Sequence, residues 1–156
     1  MWRLNATPRP VSAHDNGGGG PTVPSSDGRR VEIAVASGPG APARARRAVT
    51  AWLSQRVSAK LLDDARLLVS ELVTNSVRHA RLAPGDPIRI SVEISDGVVH
   101  LEVADPGNVP IAALVPDRQH GGGFGLYLVD VLSERWGSSH DGATHVWAEL
   151  ALSPAA

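Results

Sequence analysis

The sequence predicts an α+β domain, a two-layer sandwich in which helices cover one face of a mixed or antiparallel sheet, and three observations carry that prediction. Two apolar stripes at helical spacing occupy residues 43–82, two alternating runs joined by Asp96-Gly97 follow, and a third helical stretch leads into a last alternating run beginning at Thr144. A chain of 156 residues, 42% of them hydrophobic, is long enough for one core and leaves little room for a second.

Taken in order, residues 1–29 read as a disordered leader. Pro, Gly, Ser and polar residues dominate Thr7 to Asp27, including the run Gly17 to Gly20, with almost nothing to bury. The unit of chain that remains, residues 30–153, opens with Val31, Ile33 and Val35 in alternation, the mark of a half-buried strand. Pro39 and Pro42 precede a helix over Ala43 to Val57, whose Arg44, Arg46, Arg47 and Arg56 are expected to face water or a partner. A longer helix runs from Ala59 to about Leu82, with its stripe at Leu61, Ala65, Leu68, Val69 and Leu72, and Pro84-Gly85 stops it. Ile88, Ile90, Val92 and Ile94 then face Val99, Leu101 and Val103 across the Asp96-Gly97 turn as an antiparallel hairpin. An irregular stretch from Pro106 to Gly122 leads to a helix from Gly123 to Glu134, and Thr144 to Leu152 forms the last strand.

Composition excludes several classes of chemistry. Fifteen basic and sixteen acidic side chains give a net charge of -1, so no global field draws the chain to nucleic acid or to an anionic membrane. The absence of cysteine removes disulfides, thiol catalysis and thiolate zinc sites. Met1 to Pro10 lack the apolar core of a signal peptide, and no apolar run approaches the roughly 18 residues of a membrane span, so a cytoplasmic protein without membrane contact is expected.

Three constellations carry candidate chemistry. Glu71, Asn75 and His79 stand four residues apart and form one row on the second helix, drifting from the margin of the apolar stripe at Glu71 into it at His79. A half-buried carboxylate and amide need partners. A magnesium ion would suit the Asn75 oxygen, leaving Glu71 to orient or deprotonate a nucleophile, while an ordinary polar helix edge would also account for the row. Asp105 ends a strand on the same face as Val99, Leu101 and Val103, so its carboxylate points toward the core. It either accepts from a ligand donor such as a purine amine or caps the Pro106-Gly107 turn with its own backbone. Gly121-Gly122-Gly123-Phe124-Gly125-Leu126 opens the third helix, where bare backbone N–H groups and the positive helix end would cradle a phosphate, although a flexible loop needs no ligand. His79 and His120 have no second ligand at a zinc-like spacing, and no transition metal is expected.

In combination these residues resemble a family. The string Glu71-Leu72-Val73-Thr74-Asn75-Ser76-Val77-Arg78-His79-Ala80 is similar to the helix motif of the gyrase, heat-shock chaperone, histidine kinase and mismatch-repair ATPase superfamily, in its small bacterial anti-sigma-factor kinase branch. Asp105-Pro106-Gly107 resembles its adenine-binding box, Gly121 to Leu126 its lid glycines, and Thr144-His145-Val146 its last box. The resemblance implies the Bergerat ATP-binding fold over Val31 to Leu152, with Asn75 on Mg2+, Glu71 as catalytic base and Asp105 on the adenine amine of ATP. It further implies that Gly107, Gly121, Gly123, Gly125 and Leu126 shape the pocket and lid, and that Thr144 reaches the adenine region or the phosphates. Arg118 either meets the γ-phosphate or is solvated. The pattern departs at Asn108-Val109, where a second glycine is frequent, and at Ala143, where glycine often precedes the threonine.

Relatives in that branch bind a sigma factor and phosphorylate a serine on a small antagonist. The resemblance therefore implies an anti-sigma factor with serine/threonine-protein kinase activity, with homodimerisation as a family expectation. The alternative is a non-catalytic ATP-binding protein that sequesters a transcription regulator.

Overall fold

The structure is a computed structural model, and it describes residues 23–24, 28–107 and 124–152. Strand β2 (Arg30–Ala36) leads into helices α1 (Ala41–Leu53) and α2 (Ala59–His79), and strands β3 (Pro87–Ser95) and β4 (Val98–Asp105) follow as a hairpin. Helix α3 (Phe124–Leu132) and strands β5 (Arg135–His140) and β6 (Thr144–Ala151) complete the domain, and β1 is the two-residue strand Val23–Pro24. The six strands form one sheet in the order β1-β2-β3-β4-β6-β5, with every neighbouring pair antiparallel. The expected α+β sandwich is the fold, and the sheet is antiparallel throughout.

Alternation in the sequence becomes a face in the sheet because successive side chains of a strand point to opposite sides. Val31, Ile33 and Val35 of β2, Ile88, Ile90 and Val92 of β3, Val99, Leu101 and Val103 of β4, and Val146, Ala148 and Leu150 of β6 are all buried on one side. Registry aligns them into ladders. Ile33 lies opposite Ile90, Ile90 opposite Val103, and Val103 opposite Val146, with a second row Val31, Val92, Leu101, Ala148 two residues along each strand. Asp96 and Gly97 adopt φ values of 50° and 77°, the left-handed pair that a tight hairpin needs and that Asp-Gly supplies at low strain.

Helix α2 lies between α1 and α3 and packs on β4 and β6. Its inner stripe, Leu61, Ala65, Leu68, Val69, Leu72 and Val73, is the one expected, and the Ser58 hydroxyl caps its first turn by accepting from Leu61 N at 3.3 Å. The helix ends at His79 rather than near Leu82, because Arg81 takes φ 52° before Pro84 is reached. The expectation that His79 enters the apolar stripe is corrected. The last turn directs Ser76 and Ala80 inward, so Arg78 and His79 face solvent at the helix C-terminus, where positive charge is favoured.

Helix α1 stops at Leu53, four residues before the expected Val57. Arg56 and Val57 bond back to the Leu53 carbonyl in a turn, and the Arg56 guanidinium lies 4.5 Å above the Trp52 ring. Two other arginines also have intramolecular partners: Arg44 donates to the Ala36 carbonyl and Arg46 to the Ser70 hydroxyl of α2, at 2.8 and 3.1 Å. Val23 and Pro24, placed in the leader by sequence, pair with Glu32 and Val31 at the sheet edge. Strand β5 was not expected at all. Arg135-Trp136-Gly137-Ser138-Ser139-His140 has no apolar alternation, and it is held by pairing with β6 along its whole length. Gly137 is required there, since a Cβ would come within 2.7 Å of the Trp147 ring. Among the described residues no helix is long and apolar enough to cross a membrane.

The stripe assignment is checked by adjacent leucines of α2. Leu68 is fully buried and Leu67 is 40% exposed, so Leu68→Ala should cost about 2–5 kcal/mol in chemical denaturation and Leu67→Ala less than about 1 kcal/mol.

Candidate functional site

The core ladders of the sheet end in a polar pair. Asp105, the last residue of β4, is directly opposite Thr144, the first residue of β6, and both face the side on which α2 packs. Asp105 is only 6% exposed, and an unpartnered carboxylate at that depth would be strongly unfavourable. Both of its oxygens are engaged. Oδ2 accepts from the Ser76 hydroxyl of α2 at 2.7 Å, and Oδ1 accepts from the Gly107 backbone N–H at 2.9 Å. The Thr144 hydroxyl donates to the Gly107 carbonyl at 3.1 Å, which ties the start of β6 to the turn that follows β4.

The two readings of Asp105 therefore hold together. It caps its own turn through Gly107, and it also faces a recess lined by Leu72, Asn75, Ser76, Ala80, Asp105, Thr144 and Val146. The recess is small and partly open to solvent. Its walls are apolar at Leu72, Ala80 and Val146, and the amide of Asn75, the hydroxyls of Ser76 and Thr144 and the carboxylate of Asp105 lie among them. Each carboxylate oxygen has two acceptor positions. One on each is taken internally, so each oxygen keeps the capacity to accept one further hydrogen bond.

Gly107 makes this geometry possible. A Cβ at that position would lie 2.6 Å from both the Cβ and the carbonyl oxygen of Ala80, and 2.8 Å from Asp105 Oδ1. The turn can press against the end of α2 only without a side chain.

Of the residues singled out by sequence, Asn75, Asp105 and Thr144 line one recess, and Gly107 lies against two of its lining residues, Ala80 and Asp105. Asn75 is half-buried, and its amide has no hydrogen bond to another described residue. Glu71 is half-buried one turn earlier on α2, outside the recess lining. Gly125 and Leu126 are in the first turn of α3, while Gly121 and Gly123, with Arg118 and His120, lie outside the described residues. Sequence reasoning missed Ser76. The signal was present in the row Leu68, Leu72, Ser76, Ala80, which places a hydroxyl at an inner position of α2.

The chain is an α+β domain whose helix-covered antiparallel sheet brings an acidic strand end and a helix amide to one recess. Residues 35–150 match the family model of the histidine kinase-like ATPase domain, and the chain belongs to that family. Its domain binds ATP. No curated protein is similar enough to the chain to match it.

Two substitutions probe how the site is held. Gly107→Ala should separate the turn from Ala80 and lower both the melting temperature and nucleotide affinity. Thr144→Val, which removes the hydroxyl's bond to the Gly107 carbonyl and its bond with His140, should cost on the order of 1–2 kcal/mol in denaturation while leaving the circular dichroism spectrum unchanged.

Proposed function

We propose that this protein is a regulatory ATP-dependent kinase of the anti-sigma-factor kind, cytoplasmic, which phosphorylates a serine on a small antagonist protein and holds a sigma factor as its other partner. The observation that carries the reading is the meeting of Asn75, Asp105 and Thr144 at one recess from three separate stretches of chain. Support for the partner class comes from the string Glu71 to Ala80, whose likeness is to the small anti-sigma-factor kinases.

In this reading Asp105 accepts from the adenine amine, and the apolar walls at Leu72, Ala80 and Val146 pack against the ring. Asn75 would hold a magnesium ion through its amide oxygen, a hard donor of the kind that ion takes. Bound ATP would supply the γ-phosphoryl group and leave as ADP, and the magnesium ion would offset part of the phosphate charge. Glu71, one helical turn from Asn75 on the same row, accepts the proton of the serine hydroxyl as it attacks. Thr144 holds the turn at Gly107 in place through its hydroxyl. Most of the rate comes from positioning, because phosphoryl transfer asks little covalent chemistry of the protein.

Nucleotide binding and label transfer test separate parts of this reading. Asp105→Ala should weaken ATP binding about 10- to 100-fold, consistent with losing a hydrogen bond to a charged acceptor. Asn75→Ala should weaken it by a similar factor in the presence of magnesium and by much less without it. An Asp105→Ala protein that binds ATP like the wild type would overturn the adenine assignment. With ATP labelled at the γ-phosphate, label should appear on an antagonist serine and disappear in Glu71→Ala, which should still bind ATP. Intact ATP binding with no transfer to any antagonist would favour the non-catalytic sequestering protein instead.

A further inference from the structure

Two hydroxyls within the helices, and one just past the end of α3, bond back to the preceding turn of their own helix. Thr50 donates to the Arg46 carbonyl at 2.7 Å, Ser70 to the Arg66 carbonyl at 2.8 Å, and Ser133 to the Val129 carbonyl, each four residues back. Ser76 does otherwise. It is 6% exposed on the inner face of α2, and its hydroxyl crosses to Asp105 Oδ2, 29 residues away in sequence. Packing alone does not call for an oxygen here, since the neighbouring inner positions of the row are Leu72 and Ala80.

We infer that Ser76 is a positioning residue which, by holding the Asp105 carboxylate, sets the preference of the site for adenine over purines that lack the 6-amino group. The inference rests on the assignment of Asp105 to the adenine amine. A carboxylate turns easily about its last torsion, which is broad and roughly two-fold. Here that rotation is blocked at both ends, by Ser76 on Oδ2 and by the Gly107 N–H on Oδ1. The acceptor positions left over are thereby held in one orientation, and Ser76 and Asp105 line the same recess. An ionised carboxylate can only accept. Held still, it rewards a ring that presents an N–H and repels one that presents a carbonyl oxygen at the same place; free to turn, it discriminates less.

The test compares binding of ATP and inosine triphosphate, by calorimetry with the full chain, across wild type, Ser76→Ala, Ser76→Thr, Asp105→Ala and the double variant Ser76→Ala/Asp105→Ala. Ser76→Ala should weaken ATP binding about tenfold and inosine triphosphate binding less than about twofold, so that the ratio falls. Ser76→Thr keeps the hydroxyl and should restore the ratio. In the Asp105→Ala background, Ser76→Ala should leave the ratio where Asp105→Ala alone puts it. If Ser76→Ala does not fold, Ser76→Cys, a weaker donor of similar size, should lower the ratio in the same direction. Equal losses for both nucleotides would reduce Ser76 to a packing residue and overturn the inference, as would a further fall in the ratio when Asp105 is already gone. A wild-type protein that binds the two nucleotides equally would instead remove the adenine assignment itself, and this inference with it.

Discussion

The Asp105 carboxylate ties α2 to the turn that ends β4, and Thr144 ties the same turn to β6. Ser76 reaches it from α2 and Gly107 from the turn after β4, while Thr144, opposite it on β6, grips the same turn through the Gly107 carbonyl. A charged group at this depth is tolerable only while its partners stay in place, because removing any one exposes the desolvation cost that the others offset. The interaction thus demands a particular approach of helix to sheet, and the approach in turn creates the recess. Gly107 shows how tight that approach is, since no side chain fits between the turn and Ala80.

The rest of the domain serves to deliver these groups. Apolar ladders running from β2 through β3 and β4 to β6 fix the register of the sheet, and a slip of one residue would send Asp105 to the solvent face together with every core side chain of its strand. The stripe of α2 does the same for the helix. Leu68, Leu72, Ser76 and Ala80 follow at intervals of four, so the burial that anchors the helix also aims the hydroxyl, and places Asn75 one residue aside at the recess edge. Stability and site geometry share one set of contacts, and for that reason the functional groups need no separate scaffold.

Membership of the histidine kinase-like ATPase family accords with this arrangement. The opposite face of the sheet is polar and paired: His100 stacks on Trp147 with ring centroids 5.5 Å apart, His145 lies between Glu102 and Asp141, and Arg135 meets Glu149. Its ion pairs are partly exposed and add little to stability. They mark a solvent-facing surface, and the asymmetry between the two faces leaves the helix-covered side as the location of the recess.

The sequence by itself determined the layer architecture, the α2 stripe, the β3–β4 hairpin and the inward direction of Asp105, because each follows from a period of 3.6 or 2 or from the Asp96-Gly97 turn, all local properties of the chain. It also contained a clue to β5 that went unused: Asp141-Gly142, a second turn dipeptide, joins β5 to β6, and Gly142 takes φ 85°. The strand's own residues gave no such clue, since an edge strand held by backbone pairing needs no apolar face. Only the tertiary structure decided that Ser76 donates to Asp105, that Gly107 must be bare, that His79 faces solvent, and that Asn75 and Thr144 share a recess with Asp105. These depend on the distance and angle between a helix and a sheet, which arise from packing between residues far apart in the chain and leave no periodic trace along it.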